Sequence, residues 1–186
     1  MTDMLYFLHG YQSGPTGQKA LLFKETLHAT PINYRQGAPE DLVVSQCLSR
    51  IYQQIKNDYQ ALLIGSSLGG FLAAATALDH QNVRQLILLN PAILPPDVDL
   101  CTIQGMPLRI LQEMQNKRLF EEKITAAITI LRGTQDDVVP EYWIDRFAQA
   151  QHATVQLYTD DHRFSKILQS LPRIISQIIQ KSNHIP

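Results

Sequence analysis

The stretch Ala61-Leu62-Leu63-Ile64-Gly65-Ser66-Ser67-Leu68-Gly69-Gly70-Phe71 decides how this chain folds. An apolar run leads into Gly65-Ser66-Ser67-Leu68-Gly69, and a run of small residues from Phe71 to Leu78 leaves it. That order predicts a buried strand, a sharp turn and a closely packed helix, with Ser67 at the apex. A serine held on such a turn projects its hydroxyl above the end of a sheet, where a substrate carbonyl can reach it. The flanking glycines remove β-carbons that would clash with neighbouring backbone.

Two further signals follow in a set order. The apolar run Ile128-Thr129-Ile130-Leu131 precedes Gly133-Thr134-Gln135-Asp136-Asp137-Val138-Val139-Pro140. The alternating run Val155-Gln156-Leu157-Tyr158 precedes Asp160-Asp161-His162-Arg163-Phe164. A serine at a strand–helix elbow, an acid past a later strand and a histidine past the last strand is the α/β-hydrolase chain order. Each element falls at the C-terminal end of an expected strand, where open α/β sheets place their chemistry.

These motifs resemble those of the α/β-hydrolase superfamily and, within it, the small bacterial esterases of the YqiA type. Members of that group begin with a strand and a His-Gly-aromatic turn, here Leu5-Tyr6-Phe7-Leu8-His9-Gly10-Tyr11. A Ser/Pro-containing loop and a lysine-bearing helix start follow, here Gln12 to Ala20. The likeness runs through the Asn90-Pro91-Ala92 turn to His162-Arg163-Phe164 and covers nearly the whole chain, apart from about 95–123. Asp160-Asp161 departs from the group's commoner glycine or neutral polar residue and bears on the electrostatics of His162. Two carboxylates there either favour a charged imidazole or stand solvated without effect.

The bulk properties agree with a soluble globular protein. A length of 186 residues, with 45% hydrophobic and 18% charged residues, suits one domain with a large core. A formal net charge of -1 gives no basic field for nucleic acid and no polybasic membrane patch. Cys47 and Cys101 make no disulfide framework and read as reduced structural thiols of a cytoplasmic protein. The apolar start breaks at His9, so no secretory signal is expected, and no run approaches the roughly 20 residues of a membrane span.

Strands are expected at about 4–8, 31–34, 61–65, 84–90, 127–132 and 154–158, with helices at about 17–29, 41–57, 67–79, 141–150 and 165–180. This alternation predicts a three-layer α/β/α sandwich around a parallel sheet of about six strands. Right-handed crossovers and the resemblance together imply strand order 2-1-3-4-5-6, with strands 1 and 3 adjacent at the switch point. The expected organisation is a single domain over 1–186, with a short cap-like insertion at about 91–123. Phe164, Ile167, Leu168, Leu171, Ile174, Ile175 and Ile178 share one face of the last helix, which Pro172 kinks or restarts. Met106, Leu108, Ile110, Leu111 and Met114 either line an acyl pocket or belong to a helix packed on the core.

The residues suggest a division of labour. Ser67 is the expected nucleophile, with Ser66 as an off-register rival. His162 is the expected general base, because it alone among the histidines follows the final strand. His9 is expected to brace the first turn, and His28, His80, His152 and His184 to be solvated. Asp136 would orient the imidazole, with Asp137 as competitor and expected helix cap. The oxyanion hole would be the backbone N–H groups of Tyr11 and Leu68, with Gln12 as the alternative to Tyr11. Neither a metal site nor a cofactor motif is present in the sequence. The expected partner is a small-molecule ester or thioester, and the expected activity is a serine esterase. The alternatives are an acyl-thioester hydrolase and a non-catalytic binding protein that retains the fold.

Overall fold

The computed structural model describes residues 4–182. The sheet contains β1 (Leu5–Leu8), β2 (Thr30–Pro31), β3 (Ala61–Ser66), β4 (Val83–Leu89), β5 (Ala127–Gly133) and β6 (Thr154–Tyr158). The helices are α1 (Gln18–Leu27), α2 (Val44–Ile55), α3 (Leu68–Asp79), α4 (Leu108–Met114), α5 (Arg118–Glu121), α6 (Glu141–Gln151) and α7 (Leu171–Ser182). All strand pairs are parallel, in the order β2-β1-β3-β4-β5-β6.

The continuously apolar strands are explained by burial on both faces. Successive side chains of a strand point to opposite sides. Leu8, Leu63, Leu86, Leu88 and Ile130 pack with α2, α3 and α6 on one face. Phe7, Ile64, Ile87, Leu89 and Leu131 pack with α1 and α7 on the other. The register aligns these layers across the sheet, with Leu63 beside Leu86 and Leu86 beside Ile128. Because the order reverses between β1 and β3, the loops leaving these two strands face each other over one crevice.

Two elements depart from the sequence reading. Strand β2 has only two residues: it is an edge strand whose Pro31 turns its N–H-less side away from β1, and pairing stops after Ile32 N–H donates to Phe7 O at 2.9 Å. The last helix begins at Leu171 rather than near 165, with a tight turn at Leu168–Ser170 before it. Pro172 therefore lies in the first turn of α7, where a missing N–H costs nothing. The expected face survives this shift: Phe164, Leu168, Leu171, Ile175 and Ile178 are buried together, with Ile167 and Ile174 packed against them.

Between β4 and β5, the short helices α4 and α5 lie on the core. Ile110, Leu111, Met114 and Leu119 are buried in it, so the first three line no acyl pocket. Met106 is only partly buried and Leu108 is exposed. Arg109 donates to Leu42 O, and Glu113 accepts from Val44 N–H, which ties α4 to the start of α2. Cys47 is a buried core thiol, but Cys101 is exposed and has no such role. His184 lies outside the described residues. No helix among the described residues is long and apolar enough to cross a membrane.

Candidate active site

Ser67 occupies a strained turn between β3 and α3. Its φ of 54° and ψ of -118° lie where side chains other than glycine are rarely found. From Ala61 to Ala77 every residue except Ser67 is buried, and this includes the rival Ser66. The glycines explain how so tight an elbow is possible. A β-carbon on Gly65 would lie 2.4 Å from Gly69 O, and one on Gly69 would lie 2.1 Å from Leu8 O. The start of α3 thus sits directly against the end of β1. A β-carbon on Gly10 would lie 3.5 Å from Ser67 Cβ, so the β1 turn borders the elbow.

His162 and Asp136 meet directly, with Nδ1 and Oδ2 2.8 Å apart and the Asp136 side chain only 4% exposed. The other carboxylate oxygen, Oδ1, accepts from Val138 N–H at 2.8 Å and Val139 N–H at 2.9 Å. The acid is therefore anchored on one side and pairs with the ring on the other. An ionised carboxylate only accepts, so Nδ1 carries a proton, and in the neutral ring Nε2 is then the nitrogen with the lone pair. Neither Ser67 Oγ nor His162 Nε2 has a hydrogen-bond partner among the described residues. Asp137 is exposed, and α6 has no side-chain cap, so the expected capping role is absent. Asp136 takes up the amides at that turn instead.

Asp160 and Asp161 turn towards backbone. Fully buried Asp160 accepts from the N–H groups of Asp161, Lys166 and Ile167, and Asp161 accepts from those of Arg163 and Ser165. These bonds occupy the amides that a helix starting at 165 would need, and they shape the loop that carries His162. The Ser165 hydrogen bonds hold the Asp161 carboxyl below the usual carboxylate range.

Asn90 is a member of the site that the sequence reading placed only in a turn. It is fully buried with φ 43°. Its side-chain oxygen accepts from Gly133 N–H at 2.8 Å, and its amide donates to His162 O at 3.1 Å and Asp161 O at 3.3 Å. One carboxamide thus joins the strand end before Asp136 to the loop bearing His162. Local spacing could not reveal it, since its partners lie 43 and 72 residues away.

The turn after β1 supplies the N–H groups of Tyr11 and Gln12. With Leu68 N–H, these donate to no group among the described residues. His9 braces the turn. It is buried, stacks on Tyr34 at 4.3 Å, and pairs through Nδ1 with Gly10 O at 2.8 Å. Tyr34 also donates its hydroxyl to His9 O at 2.7 Å. Among the other histidines, His28 and His152 are exposed, whereas His80 stacks on Tyr52 at 3.9 Å rather than standing in solvent.

Burial lowers the His9 pKa to about 4; the bond to Gly10 opposes this and the Arg35 charge adds to it. The unfolded chain protonates the same ring near its ordinary value of about 6.5. Between these two values the unfolded state binds more protons, so stability falls as pH drops from about 6.5 to about 4. The full loss from this group is about 3 kcal/mol. In His9→Asn, whose carboxamide can still donate to Gly10 O without titrating, urea unfolding between pH 7.5 and 4.5 should show a shallower decline than wild type. Parallel declines in the two proteins would contradict this.

The elbow, the anchored acid–histidine pair and the reversed sheet order define the α/β-hydrolase fold class. Residues 4–178 match the family described as UPF0227, uncharacterised protein family, and the chain belongs to that family. Solved structures agree on the fold. Est1E from Butyrivibrio proteoclasticus superposes with TM-score 0.78 at 16% identity, covering 96% of this chain and 87% of that one. Mouse alpha/beta hydrolase domain-containing protein 10 gives 0.74 at 20% identity, covering 97% and 91%. The Paleococcus ferrophilus monoacylglycerol lipase gives 0.69 at 14% identity, covering 94% and 92%. No curated protein matches the chain.

Proposed function

We propose that this chain is a cytoplasmic serine hydrolase that cleaves carboxylic esters of small to medium acyl groups without a cofactor. The observation that carries this reading is the 2.8 Å pairing of His162 Nδ1 with an Asp136 carboxylate whose other oxygen is anchored. That pairing leaves Nε2 as the base. Ser67 Oγ attacks the ester carbonyl as Nε2 takes its proton, and the oxyanion that forms is met by Leu68 N–H and Tyr11 N–H. Collapse expels the alcohol, which receives the proton from Nε2. Water then attacks the acyl-enzyme by the same route and frees the acid and Ser67. In this reading residues 1–186 are one hydrolase domain, and 91–123 is its cap-like insertion. The monoacylglycerol lipase among the similar folds points the same way.

The test is turnover of p-nitrophenyl acetate and butyrate beside acetyl- and butyryl-CoA. The esters are expected to give the higher kcat/KM. A preference for the thioesters would make the protein an acyl-thioester hydrolase, and turnover of neither would overturn the hydrolase reading.

A further inference from the structure

The turn after β1 contains one peptide that its own hydrogen bonds leave unfixed. Ser13 N–H donates to Gly10 O at 3.2 Å, closing a β-turn over residues 10–13, and His9 Nδ1 pairs with the same oxygen. A trans peptide carries its C=O and N–H on opposite sides, so these bonds also fix the direction of Tyr11 N–H. The next peptide, joining Tyr11 to Gln12, is the middle of the turn. Its orientation distinguishes type I from type II, and both types close the same bond between the first and fourth residues. Gln12 does not have the positive φ that type II requires.

Arg35 grips this middle peptide. Its Nη1 donates to Tyr11 O at 2.5 Å and its Nη2 to Ser13 O at 2.9 Å. One planar guanidinium thus spans two carbonyls, a forked contact that a lysine ammonium does not reproduce. The support behind it is also fixed. Arg50 of α2 donates to Tyr34 O at 3.3 Å and Gln36 Oε1 at 3.1 Å, on either side of Arg35. Tyr34 itself is fully buried and bonded to His9 O. Arg35 is therefore a half-buried strut between a held segment and the turn beside Ser67.

We propose that Arg35 is a positioning residue for the oxyanion turn: it holds the Tyr11 and Ser13 carbonyls so that Gln12 N–H, the second free amide of the turn, keeps its direction and joins Tyr11 N–H in meeting the oxyanion beside Ser67. The inference rests on the serine-hydrolase reading. Loss of a whole oxyanion donor costs on the order of 100- to 1,000-fold in kcat, and a displacement of about 1 Å can cost about 100-fold. Without the strut the turn keeps its donors but Gln12 N–H loses its alignment, so a fall of about 10- to 100-fold is expected.

The experiment measures kcat and KM for p-nitrophenyl butyrate in wild type, Arg35→Met, Arg35→Lys, Arg35→Ala and Arg50→Gln. Arg35→Met should lose about 10- to 100-fold in kcat with KM changed by less than about twofold, because ground-state binding does not use the oxyanion. Arg35→Lys, which can hold one carbonyl, should lose less. Guanidinium ion at tens of millimolar should restore part of the kcat of Arg35→Ala and leave wild type unchanged. Arg50→Gln removes a cation from the same edge and loosens the segment behind Arg35 without touching the turn, and should lose less kcat than Arg35→Met. If Arg35→Met does not fold, Arg35→Lys and the guanidinium add-back carry the same comparison. Wild-type kcat in the Arg35 variants, or an equal loss in Arg50→Gln, overturns the inference alone. Absence of wild-type turnover overturns the hydrolase reading and this inference with it.

Discussion

Ser67→Ala is expected to lower turnover of a short p-nitrophenyl ester on the order of a million-fold, the usual consequence of losing a triad nucleophile. The folded protein should survive the change. Ser67 Oγ has no hydrogen-bond partner among the described residues, so its removal breaks no structural bond. The backbone strain at φ 54° is shared by serine and alanine. The bonds that hold the elbow run through the backbone: Ser67 N–H donates to Leu89 O at 3.0 Å, and Ser67 O accepts from Gly70 and Ala92 N–H. The variant should therefore unfold near the wild-type temperature while losing activity. Full turnover in a folded Ser67→Ala protein would remove Ser67 from the mechanism.

Asp136→Asn should lower turnover by roughly four orders of magnitude, and the geometry gives the reason. The N–H groups of Val138 and Val139 both point at one side-chain oxygen, and they demand an acceptor there. In asparagine the carbonyl oxygen must take that place, which leaves the NH2 group facing His162 Nδ1. A donor at that position forces the lone pair onto Nδ1 and the proton onto Nε2. The imidazole then presents a proton to Ser67 instead of accepting one. Asp137→Asn should change turnover little, since Asp137 is exposed. Steady-state kinetics of the two variants decide the matter. A large loss in Asp137→Asn with little in Asp136→Asn would assign the acid role to the neighbouring residue.

The parts of the fold that were legible in the sequence are those written in local periodicity. Strand β6 spans 154–158 as read, because its alternation is bounded by turns on both sides. The sheet order follows from strands alternating with helices and from the handedness of crossovers. The face of α7 was legible from its three- and four-residue spacing even though its first residue was not. That start moved because Asp160 and Asp161 take backbone amides for the loop, a competition that apolar spacing does not register.

The candidate site divides in the same way. The elements bearing Ser67, Asp136 and His162 were legible from their order at strand ends. What holds those elements together was not. Asn90 joins two loops through one carboxamide, and Arg35 reaches across 24 residues to Tyr11. Such contacts depend on which strand ends lie side by side, so no short motif marks them. Asp136 rather than Asp137 accepts from the amides of the turn before α6 for a related reason: both residues suit a turn, and only the fold fixes which carboxylate points inward.

The most direct test of the central claim is the intact mass of the protein after exposure to a fluorophosphonate, with the modified peptide then identified. A phosphonate bonds covalently to a serine only where that hydroxyl is activated by a base. The expected result is one phosphonyl adduct per chain on the peptide containing Ser67, no adduct in Ser67→Ala, and slow labelling in Asp136→Asn. An unmodified wild-type mass, or an adduct that persists in folded Ser67→Ala, would contradict the assignment of this chain as a serine hydrolase acting through Ser67.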